Sequence, residues 1–317
     1  MDSEIRIMAL NLQYGGIDPD GTTVRLEKSI AAVNEMRPHA VLLQELTGMP
    51  PRPLENPDWD MPLPDRERIL HGAAAEMHEA ARHHLHHVAV KTGMTPVLGP
   101  PVPGQWRRMH TAILLAEEPG MRIIGTGPPP MAVPGAENPA WCQVTIEVEG
   151  IPYPLDLYSV HFPARSALRQ LLQAQSLANV IAQRGQLAHA AGDSNAIPRT
   201  DRPSEKDLAK KPPHLRTARM ALDDGPLRPD YSVHDTLTGS GLIDIAAALP
   251  PECRVPADLT PTGHGGNRVD IHVATEETAA AASGYWQAAT GGSDHAATMT
   301  IYARKALAEA VPPGLRE

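Results

Sequence analysis

Aromatic side chains are scarce in this chain of 317 residues: they make up 3%, and Phe162 is the single phenylalanine. The core must therefore be assembled from Leu, Ile, Val, Ala and Met. Cysteine is nearly absent. Two residues, Cys142 and Cys253, exclude a disulfide framework and a CxxC metal knuckle and leave open only one bridge. Basic charge is in deficit, with 28 Lys and Arg against 37 Asp and Glu and a net charge of −9. That balance argues against a surface built to coat a polyanion. The nearest approach to a basic groove is the set Lys206, Lys210, Lys211, Arg216 and Arg219. No run approaches the roughly 20 apolar residues of a membrane span. The first residues, Met1 to Arg6, lack the apolar stretch of a signal peptide, so a cytoplasmic protein without a membrane partner is expected. Proline (33) and glycine (25) are plentiful, so many connections are stiff or sharply turned.

Hydrophobic spacing divides what is there into alternating strands and helices. Buried strands are predicted at Ile5 to Asn11, Ala40 to Leu43, Leu155 to His161 and Leu187 to Ala191. Further strands are predicted at Thr111 to Ala116, Met121 to Gly125, Val144 to Val148, Arg268 to Ala274 and Ala297 to Tyr302. Apolar residues at helical spacing predict helices over Thr23 to Met36, Glu67 to His84 and Ser166 to Arg184. Residues 47–66, 93–108 and 199–230 read as Pro-rich loops, the last a long surface excursion. A single catalytic domain over 1–305 with a tail at 306–317 is expected.

Several strands stop at a residue fit for chemistry: Asn11, Glu45, His161 and Asp193. Downstream lie Asn195, Asp270, Asp294 and His295. Metal-assisted phosphoryl chemistry needs hard oxygen ligands, a base for the attacking water and donors for the phosphoryl oxygens. This set contains each kind. Taken singly every member has a plainer explanation, since Asp or Asn after a strand commonly caps a helix or closes a turn.

In order and context the segments are more specific. Leu10-Asn11-Leu12-Gln13, Gln44-Glu45, Ser159-Val160-His161-Phe162, Gly192-Asp193-Ser194-Asn195, Arg268-Val269-Asp270 and Ser293-Asp294-His295 together resemble the endonuclease/exonuclease/phosphatase (DNase I-like) superfamily. That group contains DNase I-like nucleases, AP endonucleases, inositol polyphosphate phosphatases and sphingomyelinases. The resemblance implies an α/β fold, a four-layer α/β/β/α sandwich with two packed mixed β-sheets. It implies Mg²⁺, with Mn²⁺ as a substitute, held by Glu45 with Asn11 and Asp294, directly or through water. It further implies that Asp193 orients or deprotonates the attacking water, that Asn195 holds a phosphoryl oxygen, and that His161 and His295 donate to the phosphate. Asp270 would fix the tautomer of His295, and Arg268 would either support its strand or touch substrate. The first motif lacks the sequence typical of AP endonucleases, and His161 stands where that branch more often uses a tyrosine.

Some features carry less. His83, His84, His86 and His87 read as a solvated helix end. Thr262 to Asn267 lacks the context of a phosphate-cradling loop. Its position before Arg268 makes His264 and Asn267 candidates to touch substrate. Ser293 sits in no acyl-transfer elbow and reads as a turn residue. The sequence thus points to a metal-dependent phosphomonoesterase or phosphodiesterase acting on a small or medium-sized phosphorylated compound. A nuclease acting on DNA or RNA is the alternative, and a module that has lost catalysis is disfavoured because each matched position keeps a competent side chain.

Overall fold

The chain is represented by a computed structural model that describes residues 3–18, 20–47, 63–99, 109–118, 120–127, 141–211, 216, 219–221, 227–263 and 266–315. Among these residues thirteen strands form two mixed sheets. The first sheet holds β1 (Glu4–Asn11), β2 (Ala40–Leu46), β3 (Met94–Leu98), β4 (His110–Ala116), β10 (Arg254–Val255), β12 (Ala282–Ala289) and β13 (Ala296–Ala303), in the order β10-β12-β13-β1-β2-β4-β3. The second holds β5 (Met121–Gly127), β6 (Trp141–Val148), β7 (Leu155–His161), β8 (Leu187–Asp193), β9 (Leu242–Asp244) and β11 (Asp270–Thr275), in the order β5-β6-β7-β8-β11-β9. The helices are α1 (Val24–Met36), α2 (Leu63–Thr92), α3 (Ala167–Arg184), α4 (Glu205–Ala209), α5 (Ser232–Gly239), α6 (Ile245–Ala248), α7 (Glu276–Ala280) and α8 (Arg304–Glu309).

The layers follow from residue parity, because successive strand side chains face opposite ways. Ile5 and Ile7 of β1 meet Leu155 and Leu157 of β7 between the sheets. Met8 and Leu10 face outward onto Leu26, Ile30 and Val33 of α1 and Leu85 and Val88 of α2. On the other side Tyr158, Val160, Ala188 and Ala190 lie under Leu177 and Ile181 of α3 and Leu237 of α5. The result is helix, sheet, sheet, helix, as the resemblance implied.

Several elements depart from the sequence reading. Helix α2 runs past His84 to Thr92 because Leu85, Val88 and Ala89 continue the buried stripe through the histidine run. His84 is therefore mid-helix and bonds the Gly15 carbonyl (2.7 Å). Exposed His83 pairs instead with Glu79, four residues before it. β3 occupies part of the expected 93–108 loop; Pro96 is tolerated there because β3 is an edge strand. β12, rich in Ala and lacking β-branched residues, gave no strand signal. Both cysteines are free. The expected tail begins inside α8, whose Leu307 is buried, and Gly314 N donates to Gly185 O (3.0 Å). Among the described residues no helix is long and apolar enough to cross a membrane.

Candidate active site

The space between the sheets changes character along its length. Following the inward-facing positions of β8, Leu187 is apolar, His189 is polar, and Asp193 ends the strand. β7 runs in the same sense from Leu155 and Leu157 through Ser159 to His161. Register then aligns the ends: His161 lies beside Asp193 in the parallel β7–β8 pair, and Asp270 beside Asp193 in the antiparallel β11–β8 pair. On the opposing sheet Asn11 lies beside Gln44 at the ends of β1 and β2, and His295 immediately precedes β13. Six distant segments therefore meet at one end of the sandwich.

Glu45 reaches this end through an irregularity. Inward positions of β2 are Ala40, Leu42 and Gln44, so parity alone would turn Glu45 toward the helices. The β2–β4 register breaks between Leu43 and Leu46, and Glu45 takes φ 56°. A bulge of this kind re-aims a side chain at a cost in backbone strain. The left-handed turn at Gln13 (φ 46°) and Tyr14 (φ 57°) completes the support. Gln13 N donates to Asn11 Oδ1 (2.9 Å), and Tyr14 N donates to Glu45 Oε2 (3.0 Å). With its oxygen so engaged, Asn11 Nδ2 faces Glu45 Oε1 (3.3 Å) and Asp193 Oδ2 (3.2 Å).

Asp193 Oδ2 is the point of convergence. It accepts from Asn11 and from Asn195 Nδ2 (3.1 Å). His295 Nε2 stands 3.7 Å away and His161 Nε2 3.8 Å, the latter also 3.8 Å from Glu45 Oε1. Asp193 Oδ1 accepts from Asn195 N (2.7 Å). Gly192 is required beside it: its φ is 138°, and a Cβ there would sit 2.2 Å from Val160 O and 2.7 Å from Gln44 Nε2. On its far side His295 is held by Asp270, with Nδ1 2.8 Å from Oδ2.

Compared by sequence, the chain matches no protein-family model and no curated protein. Compared by structure, it is similar to an endonuclease/exonuclease/phosphatase from Bacteroides vulgatus at a TM-score of 0.58 and 10% identity, over 95% of this chain and 98% of that one. A mannosyl-6-phosphatase from Bacteroides thetaiotaomicron aligns at 0.54 and 11% identity, over 93% and 98%. Humanized D. rerio TDP2 aligns at 0.54 and 14% identity, over 95% and 99%. The chain has the endonuclease/exonuclease/phosphatase fold. The likeness at these identities is one of architecture, and the roles of individual residues rest on the geometry of this chain.

Within this endonuclease/exonuclease/phosphatase fold, burial and neighbouring charges set the site's electrostatics. Burial of Asp193 raises its pKa, an effect that adjacent Asp270 increases and His295, His161 and Arg219 oppose. Burial alone would depress His295, but Asp270 and Asp193 outweigh it and raise the ring to about 10. His295 is therefore an imidazolium at neutral pH, with both ring N–H groups available as donors.

Two groups of side chains among the described residues could hold a metal ion, each with ligand atoms within 4.8 Å of one another: Glu45, His161 and Asp193, and Asp193, Asp270 and His295. The first fits a hard divalent cation better. It offers carboxylate oxygens from both sheets, whereas in the second His295 is already bonded to Asp270.

Other expected site residues stand elsewhere. Asp294 is exposed and belongs to neither group. Arg268 cannot meet substrate: it is fully buried, with Nη1 and Nη2 on Asp244 (3.2 and 2.7 Å) and Nη2 also on Thr200 Oγ1 (2.8 Å). Burying the guanidinium is costly, and the paired Asp244 offsets that cost. Asn267 is also buried, and its carbonyl accepts from Thr262 N and Gly263 N. His264 lies outside the described residues. Ser293 Oγ accepts from His295 N (3.1 Å), which is a turn contact.

Sequence reading missed three contributors. Thr262 Oγ1 accepts from Val269 N (3.0 Å) and Asp270 N (2.9 Å), clamping the strand end. Gln44 Nε2 donates to Ser159 Oγ (3.0 Å), tying the sheets together next to the site. Arg219, placed in the expected surface excursion, is buried and donates to Asn195 Oδ1 (3.0 Å). A lone Thr and a lone Arg carry no motif, and only Gln44, adjacent to Glu45, had a positional cue.

Proposed function

We propose that this chain is a divalent-metal-dependent phosphoester hydrolase acting on a small or medium-sized phosphorylated compound. The observation that carries the reading is the convergence of Asn11, Asn195, His161 and His295 on one buried carboxylate, Asp193, with Glu45 alongside. Glu45 is the principal ligand for Mg²⁺, or Mn²⁺ in its place, with Asn11 beside it. A cation there supplies Lewis-acid polarisation of the phosphoryl group. Asp294 is exposed and would stand outside that ligand set.

Asp193 accepts the proton of the attacking water. Its burial makes it a stronger base than an exposed carboxylate, which suits that task. His295 and His161 donate to the phosphoryl oxygens as negative charge grows on them. Asp270 keeps the His295 Nδ1–H engaged, so Nε2 points at substrate. Asn195 has another role than the one implied by resemblance. Both of its amide hydrogens are already used, on Asp193 Oδ2 and on Phe162 O (3.0 Å), so it orders the base rather than the phosphate.

A small substrate is favoured over nucleic acid by charge. Among the described residues of the basic set, Lys210 is paired with Asp207 (3.0 Å), and Lys211 and Arg219 are buried. The mannosyl-6-phosphatase among proteins of similar fold is consistent with that choice.

The test is a substrate panel of sugar phosphates, inositol phosphates, nucleotides, RNA and plasmid DNA, with Mg²⁺ and with EDTA. Hydrolysis of a small phosphoester that EDTA abolishes is expected. Glu45→Ala and His295→Ala should each remove activity by about 10²–10³-fold with the fold retained, the scale set by losing one charge-stabilising group. Full activity in either variant sinks the site assignment, and turnover of nucleic acid alone replaces the substrate class.

A further inference from the structure

The connection from β8 to α5 contains residues 199–230, which read in sequence as a polar, Pro-rich surface excursion. In the structure it has a small core of its own. Ile197, Leu208 and Met220 pack together with partly buried Tyr231. The peptide unit that follows Arg219 is held at both of its polar atoms: Arg219 O accepts from Asp230 N (2.9 Å), and Met220 N donates to Arg216 O (3.0 Å). Ala221 N donates to Arg228 O (3.1 Å), and Met220 pairs with Pro229 as an isolated bridge. A segment that were only a surface loop would have no need of these constraints. Their effect is to carry one charged side chain inward.

That side chain ends on Asn195. Arg219 Nη2 donates to Asn195 Oδ1 (3.0 Å), and Asn195 is 5% exposed and Arg219 4%. Asn195 also holds a left-handed backbone, φ 51°, in the turn after β8. Arginine has no acceptor, so the atom facing it must be the amide oxygen. The NH₂ group is then committed to Asp193 Oδ2 and Phe162 O. A charge-assisted bond to the oxygen strengthens the amide's donors at the other end. The guanidinium also lies within electrostatic reach of Asp193 and Asp270, whose negative charges it partly balances.

We propose that Arg219 is a positioning residue for the reaction, delivered by the excursion, which acts through Asn195 to hold the Asp193 carboxylate in place. The reading of Asp193 as the base is presupposed for the kinetic part of this inference and not for the structural part. Arg219 does not touch substrate, so its loss should fall on turnover rather than on binding.

The experiment compares Arg219→Ala and Arg219→Lys in the full chain. First, the Asn195 side-chain amide signals are assigned by ¹⁵N NMR against Asn195→Asp. Second, kcat and KM are measured separately on the best panel substrate, with and without added guanidinium. In Arg219→Ala the Asn195 amide pair should move, and kcat should fall by about 10–100-fold, the usual effect of removing a group that orients an active-site ligand. KM should stay within about twofold. Guanidinium or the lysine variant should restore part of kcat. Unmoved Asn195 signals overturn the inference, as does an unchanged kcat or a loss carried wholly by KM. If Arg219→Ala does not fold, Arg219→Met, which keeps most of the side-chain volume and removes every donor, is measured in its place with the same outcomes expected. If no phosphoester is turned over by the native chain, the amide signals decide alone, which separates failure here from failure of the proposed reaction.

Discussion

At the scale of single residues the site is a set of orientations fixed in pairs. Asp270 and His295 are the clearest, with their 2.8 Å bond and the ring raised to about 10. Asp270→Asn keeps an acceptor for Nδ1–H but removes the charge that supports the imidazolium. Steady-state kinetics should show kcat reduced about 10–100-fold with the fold unchanged; an unaffected kcat would mean His295 needs no such partner. Asn11, Glu45, His161, Asp193, Asp270 and His295 were all legible in the sequence, because each stands in a short motif at a strand end. Arg268 was left open between a supporting and a substrate role, since nothing in its neighbours announced Asp244, twenty-four positions away. Arg219 was read only as part of a basic set and Thr262 only as part of a loop, for the same reason: their partners are set by folding and not by spacing.

At the scale of elements the inner faces of the strands decide more than the motifs do. Midway between the apolar end and the site lies a polar band. His189 Nδ1 lies 2.6 Å from Tyr302 Oη, and His272 lies 2.9 Å from Thr298 Oγ1 and 2.8 Å from Thr300 Oγ1, with the two rings 5.1 Å apart. Burial holds both rings neutral. It depresses His189 well below 6.5, with nearby His272 adding to the effect, and it lowers His272 to about 3 although nearby carboxylates oppose it. The sign follows directly: the unfolded chain takes up these protons first, at about pH 6.5. Stability is therefore full above that pH and falls as the solution is acidified, for His272 down to about pH 3. The slope is about 1.4 kcal/mol per pH unit for each ring. Urea denaturation between pH 8 and pH 4 should show this, and His272→Gln should flatten it. A slope unchanged by the substitution would mean other groups drive the acid loss. Strands with β-branched or Leu-rich inner faces were predictable, but β12 and β3 were not, since β12 has no β-branched residue and β3 carries Pro96 at the sheet edge.

At the scale of the whole molecule, the two sheets are separate hydrogen-bonded units that meet at the site. Asn11 and Glu45 come from one sheet, Asp193 and His161 from the other. A cation held by Glu45 would serve the reaction, and a ligand bound only by the folded state raises stability by mass action. Thermal melting should therefore move upward with added Mg²⁺ or Mn²⁺, by an amount that grows with concentration, and return with EDTA. Glu45→Gln should lose the shift. A native protein whose melting ignores both metals would remove Glu45 as a ligand. What the sequence determined by itself was the parity of its strands, the two outer helical stripes and the chemical identity of the strand-end residues, because all of these are local patterns a few residues long. Only the tertiary structure decided that Glu45 turns inward at a bulge, that Arg268 is walled in by Asp244, and that the excursion returns to set Arg219 on Asn195. Each of those depends on a contact between segments far apart in the chain, and such contacts are selected by packing and charge pairing once the sheets have closed.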